Sequence, residues 1–286
     1  MDQRIIDLYD DFTHGGMSRR SFLDKLAALA GSAAGATAIL PILQNNYAHA
    51  QTVPETDPRI TAETVDIPGG QPGLKGYLVK PKDAAGKLPT VIVIHENRGL
   101  NPHIKDVTRR MATEGFVALG LDYLSPMGGT PADEDKGREM IGQLKQPDVI
   151  ANGKAAVAHL KGRPDGNGKV GAIGFCWGGG AVNNLAVNEP NLGAGVAYYG
   201  GQPKAEDVPK IEAAMMMHYG GLDERINAGI PAYEAALKQA GKTYEIHVYE
   251  GVNHAFNNDT NAARYDKTAA DQAWQRTVGF LKKNLA

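Results

Sequence analysis

The single cysteine of the chain, Cys176, lies in a glycine-flanked sequence, Gly-Phe-Cys-Trp-Gly-Gly at positions 174–179. Residues 169–175 are typical of a short buried strand, and residues 178–188 are typical of a helix rich in small side chains. A sharp turn from a strand into a helix needs glycines on both sides of its nucleophile. Such a turn exposes the thiol, and the helix N-terminus favours its thiolate. The pattern therefore predicts a cysteine nucleophile rather than a buried apolar cysteine.

Two later residues complete a catalytic set with Cys176. Asp223 follows the apolar strand 214–219, and His254 lies in the loop after strand 244–249. The order nucleophile, acid, histidine is that of an α/β-hydrolase triad. Cys176 would attack the substrate, His254 would move the proton, and Asp223 would orient the imidazole. Glu224 also offers a carboxylate and Asp223 could be a turn residue, so the identity of the acid stays open at this point.

The elements that must position these residues alternate along the chain. Residues 91–94 form a continuous apolar run, as expected of a strand buried on both faces. The fold predicted is an α/β-hydrolase fold, a mostly parallel doubly wound sheet flanked by helices, with reactive groups at the carboxyl ends of strands. The predicted strands are 61–67, 74–79, 91–94, 116–121, 169–175, 195–199, 214–219 and 244–249, and the predicted helices are 102–114, 133–144, 147–160, 178–188, 231–240 and 262–285.

Over residues 60–286 the chain resembles the dienelactone hydrolase family, also called carboxymethylenebutenolidases. The residues that carry the resemblance are Gly-Phe-Cys-Trp-Gly-Gly at 174–179, Tyr-Tyr-Gly at 198–200, Asp223, Gly-Val-Asn-His-Ala-Phe at 251–256 and His-Glu-Asn-Arg-Gly-Leu at 95–100. The resemblance implies that Glu96 contacts the nucleophilic cysteine and takes part in activating its thiol. It also implies that the backbone N–H groups of Trp177 and Asn97 form an oxyanion hole.

The substrate-binding residues depart from the family pattern. Family members that hydrolyse dienelactone hold the substrate carboxylate with arginines, one of them shortly after the catalytic histidine. Here residues 255–259 read Ala-Phe-Asn-Asn-Asp, and the next arginine is Arg264. We therefore expect Arg98 to supply the charge from the opposite side, with Phe256 in the pocket. Trp177 either lines the acyl pocket or packs against the helix after the nucleophile.

Composition and spacing limit the other functions. The 286 residues suffice for one large α/β domain, and a net charge of −2 gives no electrostatic reason to bind nucleic acid. One cysteine excludes an intrachain disulfide and a multi-cysteine metal site. His95 and His103 flank Glu96 without metal-ligand spacing, so no metal is predicted. The glycines near the nucleophile lack the spacing of a dinucleotide loop, so no cofactor is predicted either.

Three functions remain after these exclusions. The first is a cysteine hydrolase that cleaves small lactones or esters through a thioester acyl-enzyme, and the second is a general carboxylesterase without dienelactone activity. The third, from another class, is a non-catalytic exported binding protein on the same fold. The intact set of cysteine, aspartate and histidine argues against the third, because a binding module has no need of all three.

The N-terminus carries features of an export signal. Residues 18–23 read Ser-Arg-Arg-Ser-Phe-Leu, an apolar run follows from 26 to 43, and Ala-His-Ala at 48–50 precedes Gln51. This order resembles a twin-arginine signal with a peptidase site, and it predicts the export machinery as a partner and a periplasmic or secreted location. The alternative is that residues 1–50 are retained helices of a cytoplasmic protein. Residues 51–60 would be a linker and residues 61–286 the catalytic domain.

Overall fold

A single eight-stranded sheet organises the protein. The computed structural model describes residues 1–49 and 51–286, with the backbone alone for His49. The sheet order is β1-β2-β4-β3-β5-β6-β7-β8. The strands are β1 Ile60–Asp66, β2 Lys75–Pro81, β3 Leu88–Ile94, β4 Val117–Asp122, β5 Gly166–Phe175, β6 Leu192–Tyr198, β7 Ala214–Gly220 and β8 Tyr244–Tyr249.

Helices cover both faces of this sheet. The helices are α1 Gln3–Thr13, α2 Arg19–Leu29, α3 Ala33–Leu43, α4 Pro102–Thr113, α5 Glu134–Gln143, α6 Gln146–Lys161, α7 Trp177–Asn188, α8 Glu224–Asn227, α9 Ile230–Gln239 and α10 Lys267–Leu285. Apolar residues of α6, α7 and α9 form the core on one face, and those of α4 and α10 form the core on the other. Strands β4, β3, β5, β6, β7 and β8 run parallel, whereas β2 pairs antiparallel with both β1 and β4. The predicted α/β-hydrolase fold is therefore confirmed.

The largest departure from the predicted elements is the start of the last helix. It was expected from residue 262 but begins at Lys267, because Asp266 caps it by accepting a hydrogen bond from the N–H of Ala269. Residues 262–266 instead belong to a turn-rich loop after His254. The Arg264 side chain in this loop contacts helix α1. Within this stretch Asp266 therefore sets the start of the helix, and Arg264 joins the loop to α1.

Helices α1, α2 and α3 form a small apolar cluster of their own. The rings of Phe12 and Phe22 stack at 4.5 Å, and Leu26 and Leu43 are buried beside them. The apolar run expected as one stretch is interrupted at Gly31, whose φ of +76° ends α2, and α2 and α3 meet at 113°. No single helix of the described chain is long and apolar enough to cross a membrane, although α2 and α3 together pass that test as a bent pair.

This N-terminal cluster is attached to the catalytic domain. The N–H of Asn46 donates to the carbonyl of Thr260 at 2.8 Å, and Asn261 Nδ2 donates to the carbonyl of Leu43 at 2.7 Å. The segment expected as a linker is attached as well, since the N–H of Val53 donates to Asp106 Oδ1 at 2.9 Å. The predicted cleavage site includes Ala50, which lies outside the described residues.

Candidate active site

A sharp turn at Cys176, the predicted nucleophile, joins β5 to α7. Its backbone has φ 54° and ψ −114°, a strained conformation for a residue with a side chain. A Cβ on Gly174 would meet the carbonyl of Gly178, and a Cβ on Gly178 would meet the carbonyl of His95. Both flanking glycines are therefore required by close approach of the backbone, as the sequence pattern predicts.

Two further residues of the described chain share the strained backbone of Cys176. The non-glycine residues with positive φ in the described chain are Cys176, Tyr199 and Ala255. Tyr199 follows β6 directly, and its ring centroid lies 4.9 Å from that of His254. Ala255 follows His254 in the chain. Strained residues of this kind concentrate where a structure holds reactive groups in place.

The structure brings Asp223 and His254 together, with a ring nitrogen of His254 within 4.8 Å of Cys176 Sγ. The Nδ1–H of His254 donates to Asp223 Oδ2 at 2.5 Å, and Asp223 Oδ1 accepts from the N–H of Ile226 at 3.2 Å. His254 is 5% exposed, and its Nε2 has no hydrogen-bond partner among the described residues. Glu224 is exposed, so Asp223 is the carboxylate that faces the imidazole. This geometry holds the imidazole with Nε2 available as a base.

A second histidine, which the sequence did not indicate, contacts the nucleophile. His14 follows helix α1, and its Nε2 lies 3.2 Å from Cys176 Sγ. Its Nδ1 lies 2.7 Å from the carbonyl oxygen of Asp10 and 3.3 Å from Asp10 Oδ1. The edge of its ring meets His254, with ring centroids 4.8 Å apart. In the sequence His14 is an isolated histidine in an acidic N-terminal stretch, so no motif or spacing predicts its contact with Cys176.

The charges around His14 favour its protonated form. Burial by itself lowers the pKa of His14, but the charge of Cys176 and the hydrogen bond to Asp10 raise it above the ordinary value. Asp10 also faces Arg264 Nη1 and Arg225 Nη2, each at 3.3 Å. Burial opposes ionisation of Asp10, yet the positive charges of His254, His14 and Arg264 hold its pKa well below the usual range. Asp10 is therefore anionic, and its charge stabilises the protonated form of His14.

Glu96, at the end of β3, is buried close to this group. Its Oε2 accepts a hydrogen bond from Asn258 Nδ2 at 3.0 Å, and its Oε1 has no hydrogen-bond partner among the described residues. Within the described chain no hydrogen bond joins Glu96 to Cys176. Burial raises the pKa of Tyr199 well above its ordinary value, and the charges of Glu96 and Cys176 add to that effect. In this structure the carboxylate is thus held by Asn258 and not by the thiol.

Trp177 and Asn97, the residues expected to supply the oxyanion donors, both line the cavity that contains Cys176. The N–H of Trp177 is in the first turn of α7, where the helix provides no acceptor. Asn97 follows Glu96, and its side-chain Nδ2 donates to the carbonyl of Thr13 at 2.7 Å. The Trp177 ring stacks on the ring of His95, with centroids 5.3 Å apart, and it lines the cavity at Cys176.

Arg98 and Phe256 do not line the cavity at the nucleophile. Arg98 is 4% exposed, its Nε lies 3.0 Å from Glu134 Oε2, and its Nη2 donates to the hydroxyl of Tyr9 at 3.2 Å. Phe256 is buried among tyrosines, with its ring 5.5 Å from that of Tyr199. The expectation that these two side chains contact the substrate does not fit this placement, because local ion pairing and aromatic packing already engage them.

A cavity of about 820 Å³ opens at Cys176. One part of its wall consists of catalytic-domain residues, among them Trp177, Tyr199 and His254, and another part consists of N-terminal residues that include 12–15. The arginines lining it are Arg19, Arg138 and Arg225. Each of the three already contacts a carboxylate: Arg19 and Arg138 contact Asp135 at 2.5 Å and 2.6 Å, and Arg225 contacts Asp10 at 3.3 Å. A cavity of this size accommodates a small organic molecule.

Two groups of side chains have the spacing of metal ligands within the described chain. They are His14 with Cys176 and His254, and Asp10 with Asp223 and His254, with ligand atoms within 4.8 Å of one another. Both groups use His254, and the first uses the nucleophile. A bound cation would therefore occupy atoms of the predicted catalytic triad.

Comparison with known proteins finds a family model and relatives that cover most of the chain. The model of the dienelactone hydrolase family matches residues 74–285, and a second model, described as YqhI-like, matches residues 1–31. A relative from Escherichia coli (strain K12), "Putative carboxymethylenebutenolidase", is 32% identical over 253 residues, which cover 82% of this chain and 92% of the relative.

Solved structures give the same result for the fold. One from Klebsiella pneumoniae subsp. pneumoniae, "Putative Dienelactone Hydrolase", is 29% identical with a TM-score of 0.70, covering 78% of this chain and 99% of that one. A dienelactone hydrolase-like promiscuous phosphotriesterase from metagenomic libraries is 25% identical with a TM-score of 0.71, covering 80% of this chain and all of that one. Fold, family model and relatives agree, and the chain belongs to the dienelactone hydrolase family of hydrolases.

Proposed function

We propose that this hydrolase cleaves small lactones or esters through a thioester formed on Cys176. The observation that carries the proposal is the strained turn that presents Cys176 to the cavity beside the His254–Asp223 pair. A buried structural cysteine needs neither the strain nor an adjacent imidazole whose second nitrogen is held by a carboxylate.

The reaction divides into two half-reactions. The thiol loses its proton to an imidazole, and the sulfur attacks the carbonyl carbon while the N–H groups of Trp177 and Asn97 stabilise the oxyanion. Each such donor typically lowers the barrier by about 3 kcal/mol. The leaving oxygen takes up the proton, and the thioester remains. His254 then takes a proton from water, the hydroxide attacks the thioester, and the sulfur leaves as thiolate.

A second candidate function is a general carboxylesterase without dienelactone activity. The three arginines of the cavity are engaged by Asp135 or Asp10, and Arg98 is buried away from it. An arginine paired with a protein carboxylate attracts a substrate carboxylate less strongly. This arrangement favours neutral esters over lactones that carry a carboxylate. A panel of p-nitrophenyl esters and enol lactones, with and without a carboxylate, distinguishes the two.

The proposed intermediate can be trapped. Mixing the enzyme with p-nitrophenyl acetate and quenching in acid is expected to add one acetyl group to the peptide that contains Cys176, as measured by mass spectrometry. Neutral hydroxylamine is expected to remove it, because thioesters react readily with that nucleophile. Acetylation at another residue, or turnover with no acetyl group on Cys176 at any time, would refute the covalent mechanism.

Glu96 is proposed to assist thiol activation, as the family resemblance implies. Glu96→Gln is expected to lower kcat by about 10²-fold, the usual scale for loss of one acid–base group. In the free enzyme the same change is expected to speed alkylation of Cys176, because a neighbouring negative charge disfavours the thiolate. Stopped-flow turnover and alkylation with iodoacetamide measure the two effects. Normal turnover in Glu96→Gln would show that Glu96 is only a polar residue at the end of a strand and does not activate the thiol.

We further propose that the N-terminal helices are retained. The motif that resembles an export signal is engaged in folding here: Ser18 caps α2, Arg19 pairs with Asp135 at 2.5 Å, and Phe22 is buried against Phe12. Removal before Gln51 would delete one wall of the cavity. Export by the twin-arginine machinery, with a periplasmic or secreted location, is the competing proposal. The N-terminal residue of the enzyme isolated from its native cell decides whether the helices are kept.

A further inference from the structure

The first observation concerns the partner of the nucleophile. Cys176 Sγ lies 3.2 Å from His14 Nε2, whereas His254 Nε2 has no hydrogen-bond partner among the described residues. In the free enzyme the imidazole in contact with the sulfur is therefore the one from the N-terminal segment. The His254–Asp223 pair lies beside it, with the two histidine rings edge to face.

The second observation is that His14 is held as firmly as a catalytic histidine. Asp10 engages its Nδ1 through both its backbone carbonyl and its carboxylate, which leaves Nε2 directed at the sulfur. This parallels the way in which Asp223 holds Nδ1 of His254. One carboxylate-supported imidazole thus contacts the thiol, and a second has a ring nitrogen within 4.8 Å of it. A cavity wall with no chemical role would need no such support.

The third observation is the attachment of the residues that precede His14. Helix α1 is fixed by Arg225 and Arg264 on Asp10 and by Gln3 Nε2, which donates to Asn253 Oδ1 at 2.5 Å. The carbonyl of Thr13 accepts from Asn97, and the carbonyl of Phe12 accepts from Arg138 Nη1 at 3.1 Å. The partners of the segment therefore come from several loops around the active site.

On these grounds, and given the thioester mechanism proposed above, we propose that His14 is a catalytic residue, supplied by a retained N-terminal segment, that removes the proton from Cys176. The S–H bond breaks, an N–H bond forms at Nε2, and the electron pair stays on sulfur as the nucleophile. The leaving oxygen of the substrate then takes the proton from His14. His254 takes the proton of water in the second half-reaction, and this proton returns through solvent to His14 as the thiolate leaves.

Because His14 is proposed to act in acylation and His254 in deacylation, we expect His14→Gln to slow acylation alone. Glutamine keeps a polar side chain in the wall but cannot accept the proton, so we expect the burst with p-nitrophenyl acetate to slow by about 10²–10⁴-fold. Decay of the acetyl-enzyme should keep its wild-type rate. The pH of half-maximal alkylation of Cys176 should rise towards that of an ordinary thiol, about 8.5. Asp10→Asn should produce the same changes to a smaller extent.

A control variant separates chemistry from packing. Met17→Gln alters another residue of the cavity wall that carries no titrating group, and it should change KM without moving the alkylation profile. Wild-type burst rates and alkylation profiles in His14→Gln would overturn the proposal, while loss of turnover in Cys176→Ala would still support the covalent mechanism. An active native enzyme that begins at Gln51 would overturn it as well, and one that keeps His14 supports it.

Discussion

Replacing Cys176 with alanine is expected to abolish turnover of every ester and lactone that the enzyme accepts. The substitution removes the atom that forms the thioester, and loss of a triad nucleophile lowers kcat by several orders of magnitude. The packing cost is small, because one sulfur atom next to the cavity is removed, so we expect a loss of about 1 kcal/mol in the free energy of unfolding. Steady-state kinetics and thermal unfolding measure the two effects.

Cys176→Ser is the sharper test of the same mechanism. Serine fits the turn, but its hydroxyl is far less acidic than a thiol, so surroundings that suit a thiolate should activate it poorly. We expect activity close to that of the alanine variant. If the alanine variant retained more than about a tenth of wild-type kcat, the covalent mechanism would be wrong, since nucleophile loss costs far more than this in triad enzymes. Full activity of the serine variant would show that the site is not specialised for sulfur.

The sequence was a good guide to the fold because its signals are local. Buried parallel strands appear as continuous apolar runs, as in β3, and Asn101 with Pro102 marks the start of α4 through a cap and a proline at its first position. The late start of α10 could not be read in the same way. Residues 262–266 have an ordinary composition for a helix, and their contact with α1 depends on a segment about 250 residues earlier in the chain.

The candidate site residues also differ in whether their positions can be predicted from the sequence. Cys176, Asp223 and His254 each follow a strand of a parallel sheet, and the carboxyl ends of such strands meet at one edge, so their proximity follows from topology. The position of His14 follows from no such rule, because α1 lies outside the sheet and reaches the site through tertiary contacts alone. Arg98 illustrates the opposite case: it is close to the motif residues in sequence, yet the buried Glu96 and Tyr9 and the half-buried Glu134 engage it away from the cavity.

The second prediction with a large effect concerns Asp223, the proposed acid of the triad. Asp223 accepts two hydrogen bonds with different oxygens, Oδ1 from the N–H of Ile226 and Oδ2 from Nδ1 of His254. In Asp223→Asn the N–H of Ile226 still requires an oxygen, so the amide NH₂ group must face His254. The imidazole then has to accept at Nδ1, and its proton moves to Nε2, where it blocks the base.

We therefore expect Asp223→Asn to lower kcat by about 10³–10⁴-fold at neutral pH, on the scale reported for the wrong imidazole tautomer. Stability should change little, because the cap on the N–H of Ile226 is kept. Glu224→Gln is the matched control, since it removes a carboxylate from the next, exposed position and should leave kcat unchanged. The loss should appear in the decay of the acetyl-enzyme, where His254 must take a proton from water. A wild-type decay rate in Asp223→Asn, or an equal loss in Glu224→Gln, would show that Asp223 does not orient the catalytic base.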